Sequence, residues 1–458
     1  MKVVICGAGQ VGFNIARYLA SENADITVID RDPALVNKIT DSLDVKGVVG
    51  FASHPNILEK AGASEADMII AVTHADEVNM VACQICHSMF DVPTKIARIR
   101  EQNYLDPMWS DLFTRDHMPI DVIISPEIEV AAAIEKRLQI PGAFDVYPLA
   151  DGKVSLIGVH CTEDTPIIHT PLRQLTELFP TLNVVVVGIF RQGKGFVPTP
   201  DDELRPGDDV YLVLDHGHLN RTMDAFGHSE SEARRVVIIG GGNIGLYLAR
   251  TVEENHPQVK LKLIELDKKR AEFVAKSLKR TVVIHGDSLD AEILNEVNIS
   301  TTETIVAVTN DDEVNILTSL LAKRHGCKRA VTLINTTSYA PLISTLGIDT
   351  VVNPRSITVS NILQHVRRGR IRSVHTIADG LGEVIEAEAL ETSSLVGVPI
   401  REAKLPPGVI VGAIVRDGEV IIPRGGTIVR SHDLVVIFSA AEAVKKIEKL
   451  FAVKLEFF

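Results

Sequence analysis

A chain of 458 residues, 45% hydrophobic and 23% charged, has the make-up of a globular protein of three or four domains, and its net charge of −13 disfavours direct binding to nucleic acid or to an anionic lipid surface. No apolar run approaches the ~20 residues that a membrane helix needs. Met1 leads straight into a core strand, so a cytoplasmic protein without a signal peptide is expected, with any membrane contact made through a protein partner.

The first part of the chain alternates short apolar runs with helical patterns. Strands are predicted at 3–6, 26–30, 47–50, 68–72, 95–99 and 122–124, and helices at 11–20, 35–42, 56–61, 78–89 and 104–113. Pro126 opens a further helix. Continuous apolar strands joined by helices specify a doubly wound parallel sheet covered on both faces. Past Pro141-Gly142 strand patterns dominate, at 145–149, 154–161, 184–190 and 209–214. Turn signals at Asp151-Gly152, Gln192-Gly193 and Pro206-Gly207 separate them, as in a small α+β lobe. A polar linker, 227–232, follows, and then the whole order returns. The second lobe has turn signals at Asp379-Gly380, Asp417-Gly418 and 424–426, and ends in an amphipathic helix at 440–451. The expected fold class is therefore α/β: two Rossmann-like doubly wound domains, each followed by a small β-rich lobe. The expected boundaries are 1–140, 141–228, 233–368 and 369–458.

The repeat is legible in local motifs. Val3-Val4-Ile5-Cys6-Gly7-Ala8-Gly9-Gln10-Val11-Gly12 returns as Val236-Val237-Ile238-Ile239-Gly240-Gly241-Gly242-Asn243-Ile244-Gly245. Asp76-Glu77-Val78-Asn79 returns as Asp312-Glu313-Val314-Asn315, and Pro126 as Pro354. The offsets are 240 − 7 = 233, 315 − 79 = 236 and 354 − 126 = 228, a drift too small for chance.

Each opening motif is a strand, then G-x-G-x-x-G, then a helix. Gly7 permits the tight turn, Gly9 lets the backbone approach a pyrophosphate, and Gly12 lets the helix pack on the sheet. The helix N-terminus offers N–H groups and a positive dipole end to phosphates. Gly240, Gly242 and Gly245 repeat these roles. Asp30 and Glu265 end the second strand of each copy, where a carboxylate accepts hydrogen bonds from ribose hydroxyls and repels a 2′-phosphate. The expected ligand is NAD(H), ATP or ADP; the alternative is a glycine-rich turn that binds nothing. Arg98, at the end of the fifth strand, suits a phosphate or is a surface arginine. Thr332 is expected at the matching place in the second copy, whose loop carries one more acid, Asp311. The run 365–372, with Arg367, Arg368, Arg370 and Arg372, is either a solvated helix end or a contact with an acidic surface or a phosphate. Cys83-Gln84-Ile85-Cys86-His87 matches the haem string C-x-x-C-H, but Ser319, Ala322 and Lys323 replace it in the second copy, which favours helix packing. No catalytic set, metal-ligand cluster or P-loop is evident. The alternatives kept open are an NAD-dependent oxidoreductase with a duplicated cofactor domain and a redox-sensing transcription factor.

The order of parts resembles the potassium-conductance regulator family, on the two glycine motifs, the Asp76-Glu77-Val78-Asn79 loop and the string His365-Val366-Arg367-Arg368-Gly369. The resemblance implies nucleotide contacts at Gly7, Ala8, Gly9, Gln10, Val11, Asp30, Thr73, His74 and Arg98. In the second copy it implies Gly240, Gly241, Gly242, Asn243, Ile244 and Glu265. It further implies a non-enzymatic regulatory subunit, a homo-oligomeric ring of four chains on the cytoplasmic face of the inner membrane. The implied partner is a membrane potassium channel subunit of the TrkH or TrkG type, gated in response to NAD(H), ATP or ADP.

Overall fold

The computed structural model describes residues 1–21, 24–179, 182–336, 339, 346–366, 371–377 and 381–451. Arg367, Arg368 and Arg370 of the basic run, and the turn at Asp379-Gly380, lie outside the described residues.

The first copy runs β1 (Lys2–Cys6), α1 (Gln10–Ser21), β2 (Asp25–Asp30), α2 (Pro33–Ser42), β3 (Lys46–Val49), α3 (Pro55–Lys60), β4 (Met68–Ala71), α4 (Asp76–Phe90), β5 (Thr94–Arg98), β6 (Val122–Ile124) and α5 (Pro126–Gln139). The six strands form a parallel sheet of order β3-β2-β1-β4-β5-β6. The order reverses between β1 and β4, the switch point at which such sheets receive ligands. The central strands β1 and β4 are buried almost throughout, which explains their uninterrupted apolar sequence.

The segment between β5 and β6 differs from the single helix expected at 104–113. It forms two 3-10 stretches, Gln102–Leu105 and Pro107–Phe113. Pro107 lacks an N–H and forces Asp106 out of the helical region, to φ −62° and ψ 130°. The Asp106 carboxylate then accepts from Met108 N and starts the second stretch.

The first small lobe contains β7 (Ala143–Leu149), β8 (Val154–His160), α6 (Leu172–Leu178), β9 (Val184–Arg191), β10 (Lys194–Phe196), β11 (Asp209–Asp215) and α7 (Leu219–Ala225). Its antiparallel sheet has the order β10-β9-β11-β8-β7. Both short helices and β10 escaped the sequence reading, because one or two turns carry too few positions for a period to show.

The second copy repeats the plan: β12 (Arg235–Ile239), α8 (Asn243–Asn255), β13 (Lys260–Glu265), α9 (Lys268–Ser277), β14 (Val282–His285), α10 (Ala291–Glu296), β15 (Thr304–Ala307), α11 (Asp312–Arg324), β16 (Arg329–Leu333), β17 (Thr350–Val352) and α12 (Pro354–Val366). Its parallel sheet is β14-β13-β12-β15-β16-β17, the first order over again. The second lobe has β18 (Ile371–Ile377), β19 (Gly382–Glu388), β20 (Val409–Arg416), β21 (Glu419–Ile421), β22 (Leu434–Ala440) and α13 (Val444–Phe451). The closing helix is shorter than expected, since a 3-10 turn takes Ala441–Ala443.

The chain divides into two compact units, Met1–Val130 with Asn353–His365, and Ala131–Val352 with Val366–Phe458. Within the first, Asn361 of α12 gives a side-chain hydrogen bond to Glu129 of α5. Within the second, Glu135 of α5 accepts from Asn255 Nδ2 at 3.0 Å and lies 2.9 Å from His256 Nε2. In that unit the sheets of the two lobes share one core, in which Leu156, Val187 and Val213 meet Val384, Ala413, Val436 and Phe438. The Ala150 N–H donates to Glu386 Oε2 at 2.8 Å across the same seam.

Candidate nucleotide site

In the first copy three residues join β1 to α1. Gly7 has φ +111°, and a Cβ there would meet the Val72 carbonyl oxygen at 2.9 Å. A Cβ on Gly12 would stand 1.8 Å from the Gly7 carbonyl oxygen. Gly9 is the opposite case, because a Cβ there meets no protein atom within 4 Å. The fold itself therefore requires Gly7 and Gly12, whereas Gly9 leaves backbone bare to the outside.

Asp30 closes the frame. Its Oδ2 accepts from Ala8 N at 2.7 Å and its Oδ1 from Asp32 N at 2.9 Å. Each oxygen keeps a lone pair for a ligand hydroxyl. Gln10 and Val11 form the first turn of α1, so their N–H groups are the free donors of a helix start. Bare glycine backbone, a helix N-terminus and a fixed carboxylate fit an adenine nucleotide, with phosphates at Gly9 to Val11 and ribose at Asp30.

The other predicted residues come from β4, β5 and the loops after them. Thr73 follows β4, with its N–H and hydroxyl both donated to Asn79 Oδ1, at 2.9 and 2.7 Å. Asn79 is fully buried, and its amide also donates to the carbonyls of Thr73 and Arg98. It thus sews the two strand ends together at the ligand edge. Asp76 performs the same service one loop further on, accepting the backbone N–H groups of Arg100 and Glu101 at 2.8 Å each. Neither residue was singled out as a site residue from sequence, although both recur in the repeated signature that contains them.

Arg98 does stand at the end of β5, but its guanidinium turns towards Glu127, with Nη2 3.7 Å from Oε1. Burial lowers its pKa, against the pull of Glu127. Arg100 Nε shares that oxygen at 3.1 Å, and Arg100 Nη1 donates to His74 Nδ1 at 3.3 Å. Asp76 Oδ1, Arg98 Nε, Ser125 Oγ, Glu127 Oε2 and Glu129 Oε2 are buried without a hydrogen-bond partner among the described residues. Burial raises the Glu129 carboxyl to about 7, although Asn361 pulls the other way. The first site thus has a charged, incompletely satisfied floor beneath its β5 end.

The second copy reproduces the frame. Gly240 has φ +99°, a Cβ on Gly245 would stand 1.9 Å from the Gly240 carbonyl oxygen, and a Cβ on Gly242 meets nothing within 4 Å. Glu265 Oε2 accepts from Gly241 N at 2.6 Å and Oε1 from Asp267 N at 2.9 Å. Asn315 repeats the bonds of Asn79, to Thr309 and to the carbonyl of Leu333.

That last bond corrects the expected pairing of Arg98 with Thr332. Asn79 reaches the Arg98 carbonyl where Asn315 reaches that of Leu333. Strand register agrees: Ala71 pairs with Ala97 as Ala307 pairs with Thr332, and Arg98 pairs with Ile124 as Leu333 pairs with Val352. The counterpart of Arg98 is therefore Leu333, which is buried, and Thr332 matches Ala97. Thr332 points into the core, where its hydroxyl meets Ser319 Oγ at 2.8 Å. The extra acid has a structural task as well, since Asp311 caps α11 by accepting from Val314 N at 2.9 Å. Asn243 begins α8 as Gln10 begins α1, and Ile244 takes the place of Val11. Cys83 and Cys86 are fully buried on α4, and burial pushes the Cys86 thiol up to about 12, as suits core packing.

Residues 3–126 and 236–354 match the model of the TrkA-N domain, and 156–227 and 384–452 that of the TrkA-C domain. The chain is 53% identical, over the full length of both, to the Trk system potassium uptake protein TrkA of Azorhizobium caulinodans. It is 40% identical to the protein of that name from Halomonas elongata, again over 100% of both chains. Among solved structures it resembles the GsuK RCK domain, with a TM-score of 0.60 at 20% identity over 99% of this chain and 95% of that one. It also resembles the GsuK channel bound to NAD, with a TM-score of 0.59 at 20% identity over 99% and 79%.

Proposed function

Since this chain belongs to the TrkA family of Trk system potassium uptake proteins, we propose that it is the nucleotide-responsive regulatory subunit of a membrane potassium uptake system. The observation that carries this reading is the pair of glycine loops, each with an open glycine and a carboxylate fixed beside it. NAD(H) is the proposed ligand, with ATP or ADP as alternatives at the same loops. Four chains form a ring on the cytoplasmic face of the inner membrane, against a channel subunit of the TrkH or TrkG type. No helix among the described residues is long and apolar enough to cross a membrane, so this role needs such a partner.

The regulation is a population shift. A nucleotide that binds one ring arrangement more tightly than another favours it by that difference, and ~1–3 kcal/mol changes the channel's activity several-fold. The ligand is not consumed, in contrast to an oxidoreductase with a duplicated cofactor domain. Titration of the full chain with NADH, NAD, ATP and ADP, followed by flux through the reconstituted membrane partner, tests the proposal. Nucleotide-dependent flux that Gly9→Leu abolishes is the expected result. Flux indifferent to every nucleotide, or steady oxidation of NADH with a small ketone or acid, overturns it.

A further inference from the structure

The two loops are framed alike but charged differently on the ribose side. In the second copy the Arg270 side chain reaches back from α9 onto the glycine loop. Its Nε donates to the Gly241 carbonyl at 2.7 Å and its Nη2 to Asn243 Oδ1 at 3.3 Å. The guanidinium also lies 5.0 Å over the Phe273 ring, which holds it in place. Gly241 is the residue whose N–H binds Glu265, and Asn243 opens α8. The cation therefore rests on the glycine loop, at the residue whose N–H the acid holds and at the start of α8. Lys268 and Lys269, both exposed, precede it on the same turn. The corresponding residues of the first copy are Pro33, Ala34 and Leu35, and its nearest basic residue, Arg31, corresponds to Leu266.

We infer that Arg270 adapts the second loop to an adenine dinucleotide carrying a phosphate on its adenosine ribose, the NADP class, while the first loop keeps to the unphosphorylated form. This rests on the reading of both loops as nucleotide sites. A lone carboxylate at the end of the second strand repels a 2′-phosphate. At the second loop Arg270 lies on the carbonyl of Gly241, the residue whose N–H that carboxylate holds, and its planar guanidinium has donors left beyond those spent on Gly241 and Asn243. A 2′-phosphate placed there exchanges water for charge-assisted hydrogen bonds. At the first loop it would face Asp30, and the place of Arg270 is taken by the apolar Leu35.

The test uses the full chain with one loop blocked at a time. An added Cβ at Gly9 or Gly242 meets no heavy atom within 4 Å beyond its chain neighbours, so Gly9→Leu and Gly242→Leu are expected to block the ligand and spare the fold. Calorimetric titration of the Gly9→Leu chain is expected to show NADPH bound about tenfold more tightly than NADH, the effect of one charge-assisted hydrogen bond. The Gly242→Leu chain should show the reverse order. Adding Arg270→Gln to Gly9→Leu should bring the ratio of NADPH to NADH affinity down to about one or below, while Arg270→Lys keeps part of the preference. Equal affinities in the Gly9→Leu chain, or a preference that survives Arg270→Gln, overturn the inference and leave the nucleotide reading standing. If the Gly9→Leu chain binds neither dinucleotide while Gly242→Leu binds NADH, the second loop is no nucleotide site and both readings of it fall.

Discussion

The two parallel domains are one frame with two distributions of charge. What they share is what the backbone needs: the three loop glycines, the acid that binds the loop N–H, the buried Asn79 or Asn315, and the carboxylate of Asp76 or Asp312 that holds the turn after the fifth strand. What differs is what a ligand would feel. Arg98, Arg100, Glu127 and Glu129 of the first copy correspond to Leu333, Asn335, Arg355 and Ile357, while Leu35 is exchanged for Arg270. The first copy sets two arginines against two glutamates at its β5 end, the second keeps only Arg355 there, and the second alone carries a cation on its α9 side. Duplication thus preserved the groups with geometric duties and freed those with electrostatic ones.

One exchange shows how a duty can be kept by a different residue. In the first copy the Asp121 carboxylate accepts from Lys95 N and pairs with the buried Lys95 ammonium at 2.8 Å. In the second, Ala330 stands in the place of Lys95 and gives the same backbone bond to Asp349. The ammonium comes instead from Lys323 on α11, at 2.7 Å. Asp121 and Asp349 thus each hold one backbone N–H and one ammonium, and the ammonium comes from a different element in each copy.

The comparison can be broken hardest at the helix glycines. Gly12→Ala and Gly245→Ala each drive a methyl group to within 2 Å of a carbonyl oxygen, at 1.8 and 1.9 Å. Each is expected to destabilise its own domain by ~3 kcal/mol, equally in the two copies. Urea unfolding monitored by hydrogen exchange in α1 and α8 reads both, and a large inequality would show that the frames are not equivalent.

Next comes pH. The Glu129 carboxyl rises from its ordinary 4.5 to about 7, chiefly through burial. The folded state then holds its proton more tightly than the unfolded one. Stability from this group is full below pH 4.5, falls as pH rises towards 7, and is level above. The expected loss across that window is about 3 kcal/mol. Glu129→Gln should flatten it and keep the Asn361 contact, and Ile357 can supply no equivalent. Unfolding of both chains in urea between pH 4 and 8 checks the sign, and a wild-type profile no steeper than that of the variant rejects it.

Arg98 carries a smaller difference. Arg98→Ala is expected to weaken ATP at the first loop by ~1.5 kcal/mol and adenosine hardly at all, since only the phosphates would recruit the guanidinium away from Glu127. Calorimetry on the Gly242→Leu chain isolates that loop, and equal losses for ATP and adenosine would assign Arg98 to structure alone.

The smallest effect is reciprocal. Asp311 caps α11 with its side chain, whereas Ala75 caps α4 with none. Asp311→Ala should cost about 1 kcal/mol and Ala75→Asp should return a similar gain to the first copy. Thermal unfolding of the two single variants measures both, and a stabilising Asp311→Ala would contradict the cap.

Local chemistry explains what was legible in the sequence by itself. The duplication, both parallel sheets, the glycine loops and the acids Asp30 and Glu265 all follow from residues near one another in the chain, because strand alternation, turn glycines and a helix start are local requirements. The break in the segment at 102–113 was local too, at Pro107, although a single helix at 104–113 was expected. Only the tertiary structure decided the rest. That Leu333 and not Thr332 takes the place of Arg98 depends on strand register, which one residue of slippage reverses. That Arg98 faces Glu127, and that Arg270 lies on the Gly241 carbonyl, depends on groups separated by 29 residues in each case. No periodicity records such meetings. They arise because packing brings distant elements together and a buried charge must then find its partner in space.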